Sequence, residues 1–142
     1  MWDWRYGIWR GANMTKRTTI KTDKAPKAVG PYSQAIVVGD LIFTAGQIPL
    51  DPETGKLIEG TFQDRVRQVL DNLDAILIKA GSSLSQAVKV TVFLTDLSRF
   101  GELNEVYGEY FSDEPPARSA VQVSQLPLGT DVEIECVALR SK

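Results

Sequence analysis

Apolar residues along this chain recur with two periods, and the change from one to the other sets the order of elements. Over 61–80, Val66, Val69, Leu70, Leu73, Ile76, Leu77 and Ala80 fall on one stripe at helical spacing. Thr61 and Asp64 have the spacing of a capping box, and Gly81 stands where a C-terminal cap is expected. A second, weaker helix is predicted over 99–111, with Val106, Tyr110 and Phe111 on its apolar side. Elsewhere the period is two. Runs at 18–22, 34–38, 41–45, 87–94, 117–123 and 132–139 read as strands. Gly39-Asp40 between the second and third runs predicts a hairpin. Val88, Val90, Val92 and Leu94 are expected on one face of the fourth strand, and Val132, Ile134, Cys136 and Ala138 on one face of the last.

The predicted order is β-ββ-α-β-α-β-β, which suggests a mixed sheet with both helices on one face. The other face is expected to stay open and semi-polar, carrying Arg118, Gln122, Glu133 and Glu135. Such a face invites a partner. Residues 14–142 read as a single domain of one core. Residues 1–13 differ in character: all three tryptophans, Trp2, Trp4 and Trp9, lie there. They read as a leader or a disordered N-terminal extension.

Composition narrows the chemistry. There is no histidine, which removes Ser-His-Asp triads, Cys-His dyads and His-bearing zinc sites. Cys136 stands alone, so no internal disulfide forms. No apolar run approaches the roughly 18–20 residues that span a bilayer, and a cytoplasmic location is expected. A formal net charge of −2 counts against nucleic acid as a partner. No P-loop, G-x-G-x-x-G or metal-ligand spacing occurs.

The remaining candidates are few. Arg118 follows Pro115-Pro116-Ala117, a stiff lead-in to a strand, and a guanidinium fork grips a carboxylate bidentately. Taken singly, it reads first as a surface arginine or as half of an ion pair. Glu133 and Glu135 share a strand face, and a carboxylate in an apolar pocket titrates high enough to exchange protons. Taken singly, they read first as solvated glutamates. Gly30-Pro31-Tyr32-Ser33-Gln34 and Gly46-Gln47-Ile48-Pro49 are turn-forming loops in which backbone can approach a ligand.

Together these segments resemble the RidA/YjgF family of enamine/imine deaminases. The resemblance rests on Gly30-Pro31-Tyr32-Ser33-Gln34-Ala35, Ala45-Gly46-Gln47-Ile48-Pro49, Gln68 to Leu73, Lys89 to Leu94, Asn104-Glu105-Val106-Tyr107, Pro116-Ala117-Arg118-Ser119 and Val132-Glu133-Ile134-Glu135. It covers about 18–140. It implies a chorismate-mutase-like α+β fold, a homotrimer with a central barrel, and active sites between subunits. It implies cofactor-free and metal-free hydrolysis of 2-aminoacrylate/2-iminopropanoate and 2-iminobutanoate to 2-oxo acids and ammonia. Under it, Arg118 binds the substrate carboxylate and Glu133 orients and deprotonates water. Tyr32, the Gly46 backbone and Asn104 line the pocket. Ala120 stands where many relatives carry cysteine, which removes a thiol nucleophile but keeps a backbone carbonyl to hold water. Two other readings remain open: an RNA-binding, endoribonuclease-type translation inhibitor, and a non-enzymatic ligand-sensing or chaperone-like trimer.

Overall fold

The computed structural model of the chain describes residues 2–9 and 16–141. Two short strands, β1 (Trp2–Asp3) and β2 (Ile8–Trp9), pair antiparallel and form a sheet of their own. This hairpin has no counterpart in the sequence reading. The boundary expected near residue 13 lies outside the described residues.

The main sheet contains β3 (Arg17–Ile20), β4 (Ala35–Val38), β5 (Leu41–Thr44), β6 (Ala87–Leu94), β7 (Ala117–Gln122) and β8 (Val132–Leu139). Their order is β3-β4-β5-β8-β6-β7, and only β6 and β7 run parallel. Two helices, α1 (Phe62–Lys79) and α2 (Phe100–Tyr110), complete an α+β fold with a six-stranded mixed sheet, as predicted. The β4–β5 turn places Gly39 at φ 59, and Val38 pairs Leu41 across it. A positive φ at the first central position is what a two-residue hairpin of the right twist requires.

α1 forms where its caps and stripe place it. Thr61 Oγ1 accepts from the Asp64 N–H at 3.1 Å, and Asp64 Oδ2 accepts from the Thr61 N–H at 3.0 Å. Val66, Val69, Leu70, Leu73, Ile76 and Leu77 are fully buried against the sheet. They meet Ile42, Val90, Val92, Leu94, Val132, Ile134 and Ala138 in one core. Cys136 lies in that core, with its backbone N–H donating to Thr44 Oγ1 at 3.0 Å; burial pushes its thiol up to about 11.

Two expectations about faces are corrected. Val88 is exposed, because a β-bulge between Ala87 and Lys89 displaces it from the row of Val90, Val92 and Leu94. Arg118 and Gln122 do not share a face with Glu133 and Glu135. Arg118 pairs Val90, which pairs Cys136, and both partners are buried beneath the helices. Glu133 pairs Phe93, three residues from Val90 and therefore on the opposite face. The open face keeps Glu133 and Glu135, and it also carries Leu41 beside Leu139 and Phe43 beside Val137, with Val121 on the edge strand; Leu41, Phe43, Val121 and Leu139 are exposed.

Candidate functional site

Two loops and one strand build a cleft of about 260 Å³ on the open side of the sheet, with Glu133, Tyr32, Gly46, Gln47, Ile48 and Lys27 among its walls. Each loop is tied down from behind by a buried amide side chain. Gln34 Nε2 donates to the Pro26 carbonyl at 2.8 Å and to the Thr22 carbonyl at 3.1 Å, while its Oε1 accepts from the Thr22 N–H at 2.7 Å. This fixes the loop that delivers Lys27 and Tyr32. Asn72 Nδ2 donates to the Leu50 carbonyl at 2.9 Å, and Gln68 Nε2 donates to Asn72 Oδ1 at 2.9 Å. This ties the 48–50 wall to α1. Gln47 and Ile134 exchange backbone hydrogen bonds at 2.8 and 3.1 Å, so the Gly46 loop lies against β8 beside Glu133.

Gly46 lies directly against the Glu133 side chain: a Cβ on it would stand 2.9 Å from Glu133 Cδ and closer still to Oε1, so any larger residue would push the carboxylate away from the loop. The missing side chain lets the carboxylate rest against backbone. Burial holds the Glu133 carboxyl above its ordinary value of 4.5, and the neighbouring Glu135 charge adds to the shift. A carboxylate displaced in that direction is a better proton acceptor than a solvated one. The Tyr32 hydroxyl accepts from the Val29 N–H at 3.2 Å, which stands the ring at the cleft wall.

Arg118 lies elsewhere. Its guanidinium sits over the Tyr107 ring at 4.6 Å and over the Phe100 ring at 5.1 Å, both on α2. No carboxylate pairs with it among the described residues. Aromatic faces attract a cation without consuming its N–H donors, so the fork stays available for an anion. Tyr107 is buried beneath it, and burial raises its phenol to about 12, so the ring packs as a neutral group. Asn104 is exposed on α2, four residues after Phe100 and three before Tyr107, on the stripe that faces Arg118. Ala120, two residues on in β7, is half-buried and packs against the core.

The candidate residues thus fall into two groups. Tyr32, Gly46 and Glu133 meet in the cleft. Arg118, Asn104 and Ala120 gather on the helix-covered side, at the sheet edge formed by β7. Nothing brings the two groups together within one copy of the chain. Sequence reading missed the cleft's Lys27 and the Phe100–Tyr107 platform. Phe100, Asn104 and Tyr107 recur at helical spacing, which is the signal that would have found the platform. Among the described residues no group of three Cys, Asp or Glu side chains is placed to hold a metal ion. No helix among them is long and apolar enough to cross a membrane.

Comparison with known proteins places this geometry in context. A family model described as Endoribonuclease L-PSP matches residues 22–140. A RutC family protein of Pyrococcus abyssi is 52% identical over 124 residues, covering 87% of this chain and 98% of the relative. The mouse 2-iminobutanoate/2-iminopropanoate deaminase is 47% identical over 124 residues, covering 87% of this chain and 92% of the relative. The crystal structure of RidA from an Antarctic Psychrobacter superposes with a TM-score of 0.83 at 52% identity, covering 86% of this chain and 98% of that one.

Proposed function

Because the chain belongs to the RidA/YjgF family, the one the Endoribonuclease L-PSP model describes, we propose that it hydrolyses small 2-imino acids to 2-oxo acids and ammonia. The substrates are 2-iminopropanoate, the tautomer of 2-aminoacrylate, and 2-iminobutanoate. The observation that carries this reading is Glu133: a half-buried carboxylate, raised above its ordinary range, resting on the bare Gly46 backbone inside a cleft. An imine carbon is already electrophilic, so the protein has to position it and handle one water. Glu133 accepts a proton from that water as its oxygen adds to the carbon. That proton passes to the imine nitrogen to give a carbinolamine; transfer of the remaining hydroxyl proton to nitrogen, again through Glu133, then lets the C–N bond break as C=O forms, with ammonia as leaving group. Arg118 anchors the substrate carboxylate through its free fork, and Asn104 and the Ala120 backbone line that side.

Since Arg118 and Glu133 lie on opposite faces of one sheet, the complete site needs a second copy of the chain. A homotrimer supplies it. The exposed Leu41, Phe43, Val121 and Leu139 on the open face are the surface it would bury, the inner wall of a central barrel. In this reading residues 14–142 are the deaminase domain, and 1–13 are a leader or an N-terminal extension to it.

The test is release of pyruvate from 2-iminopropanoate made in situ by an amino-acid oxidase, with semicarbazide as competing trap. Accelerated pyruvate release, insensitive to metal chelators, is expected. No acceleration by a folded oligomer refutes the reading. RNA cleavage with binding that weakens steeply in salt would favour the endoribonuclease alternative instead.

A further inference from the structure

The two rings against Arg118 are each fixed by a different part of the fold. Tyr107 is 7% exposed, lies in the core with Leu103 and Val106, and packs on Phe111 with ring centroids 4.4 Å apart. Its hydroxyl is buried with no hydrogen-bond partner among the described residues. An unpartnered buried hydroxyl costs stability, so what Tyr107 contributes here is its ring. Phe100 opens α2 and is exposed. The turn ahead of it is tied to the strand that carries Arg118. Gln122 Oε1 accepts from the Leu97 N–H at 2.9 Å, and the Val123 N–H donates to the Leu94 carbonyl at 2.8 Å. Arg118 is half-buried, its guanidinium carbon 4.6 Å from the Tyr107 centroid and 5.1 Å from the Phe100 centroid. Two ring faces about two turns apart on one helix confine a fork more tightly than one face does.

We propose that Phe100 and Tyr107 are positioning residues: they hold the Arg118 fork, before substrate binds, in the orientation that receives the substrate carboxylate. The proposal rests on the deaminase reading, in which Arg118 is the anchor. An unrestrained arginine has many rotamers and loses them when it closes on a carboxylate. Arg118 has lost them on folding, so the ligand does not bear that loss. The rings achieve this without taking up the N–H donors or neutralising the charge, as an aspartate or glutamate partner would. The carboxylate takes no part in bond making, so the platform serves ground state and transition state alike. Its loss therefore raises KM more than it lowers kcat.

The experiment compares the full chain with Phe100→Leu, Tyr107→Leu and Tyr107→Phe. Leucine keeps apolar bulk and removes the ring face; phenylalanine keeps the face and removes the hydroxyl. Phe100 is exposed, so Phe100→Leu serves even if Tyr107→Leu fails to fold. The first readout needs no ligand: the order parameter of the Arg118 Nε–H from nitrogen relaxation, its resonance assigned through Arg118→Lys. We expect about 0.85, as in rigid backbone, for the wild type and Tyr107→Phe, and below about 0.6 for the leucine variants. The second readout is KM for 2-iminopropanoate. We expect a rise of about fivefold in each leucine variant with kcat within about twofold, and no further rise when Phe100→Leu is added to Arg118→Ala. Unchanged order parameters in the leucine variants, or a Phe100→Leu effect of equal size with and without Arg118, overturns the proposal. So does a Tyr107→Phe variant that behaves like Tyr107→Leu, because the hydroxyl would then be the active part. If the wild type hydrolyses no imine, the deaminase reading fails, and the order parameters still decide whether the rings hold Arg118.

Discussion

Arg118 is a cation held by ring faces instead of by a carboxylate, and that difference fixes what its loss should do. An arginine locked in an ion pair contributes its charge to the fold; one resting on Tyr107 and Phe100 keeps its N–H fork for a ligand. Lysine at 118 keeps charge but loses the two parallel hydrogen bonds, at a cost of about 1.5–3 kcal/mol, or roughly ten- to a hundredfold in rate. Alanine should cost more. The expected order in kcat/KM is wild type, Arg118→Lys, Arg118→Ala, with calorimetric binding of pyruvate falling in the same order. Wild-type hydrolysis by Arg118→Ala would sink the carboxylate-anchor role. Glu133 makes a prediction of opposite sign for activity and stability. Its folded pKa is raised, so the folded state binds its proton more tightly than the unfolded chain does. The stability tied to that proton is complete at acid pH and is lost as pH rises through the ordinary carboxylate range into the raised one. At neutral pH the buried charge therefore works against the fold. Glu133→Gln should abolish turnover yet raise Tm slightly at pH 7, and the Tm gain should vanish below about pH 4, where wild-type Glu133 is also neutral. Calorimetric melts of both proteins across that range measure it; a variant less stable at pH 7 would show that the carboxylate has a stabilising partner. The identity of both residues was legible in the sequence through the motifs around them. Their separation was not, because strand alternation fixes which residues share a face but not which face lies under the helices.

At the level of elements, the long helix, the hairpin and the last strand were readable because local signals agree there. A capping box, a seven-membered apolar stripe and a C-terminal glycine all specify α1. The bulge at Val88 was not readable: an inserted residue leaves no mark in a run of alternating β-branched side chains. Nor were the two amide clamps, since a glutamine or asparagine reveals its partner only when distant backbone arrives. Asn72 shows what such a clamp is worth. It sits among the apolar residues of α1, where leucine would fit the stripe better, yet its Nδ2 satisfies the Leu50 carbonyl and its Oδ1 is held by Gln68. Asn72→Leu would leave that carbonyl unpartnered beside the cleft, at a cost of about 1–3 kcal/mol. We expect a lower Tm, and faster amide exchange confined to 47–58. An unaltered exchange pattern there would mean that the Gln47–Ile134 backbone pair holds the wall without help.

For the whole molecule, the division of candidate residues between two faces turns an assembly question into a kinetic one. One copy offers Glu133, Tyr32 and Gly46 on its open side and Arg118, Asn104 and Ala120 on its covered side. If the proposed trimer builds each site from one group of either kind, then two inactive variants carry complementary defects. Arg118→Ala retains an intact Glu133 group, and Glu133→Gln retains an intact Arg118 group. Mixing them after reversible dissociation, or co-expressing them, should create some interfaces with both groups intact. In a closed ring every subunit offers one group to each neighbour. Random assembly at equal amounts therefore leaves about a quarter of the sites complete, whatever the size of the ring. Activity near that fraction of wild type, from two proteins each nearly inactive alone, is the expected outcome, and it should scale with the product of the two fractions as the ratio is varied. The apolar row of Leu41, Phe43 and Leu139 gives an independent control. Phe43→Lys should weaken assembly, because a charge buried in an apolar interface is costly, and should remove activity without unfolding the protomer, whose core lies on the other face. Sedimentation would report smaller species with intact secondary structure. Recovery of no activity in the mixed rings, with exchange of subunits verified by mass, would place Arg118 and Glu133 in separate sites and would break the mechanism at its central step.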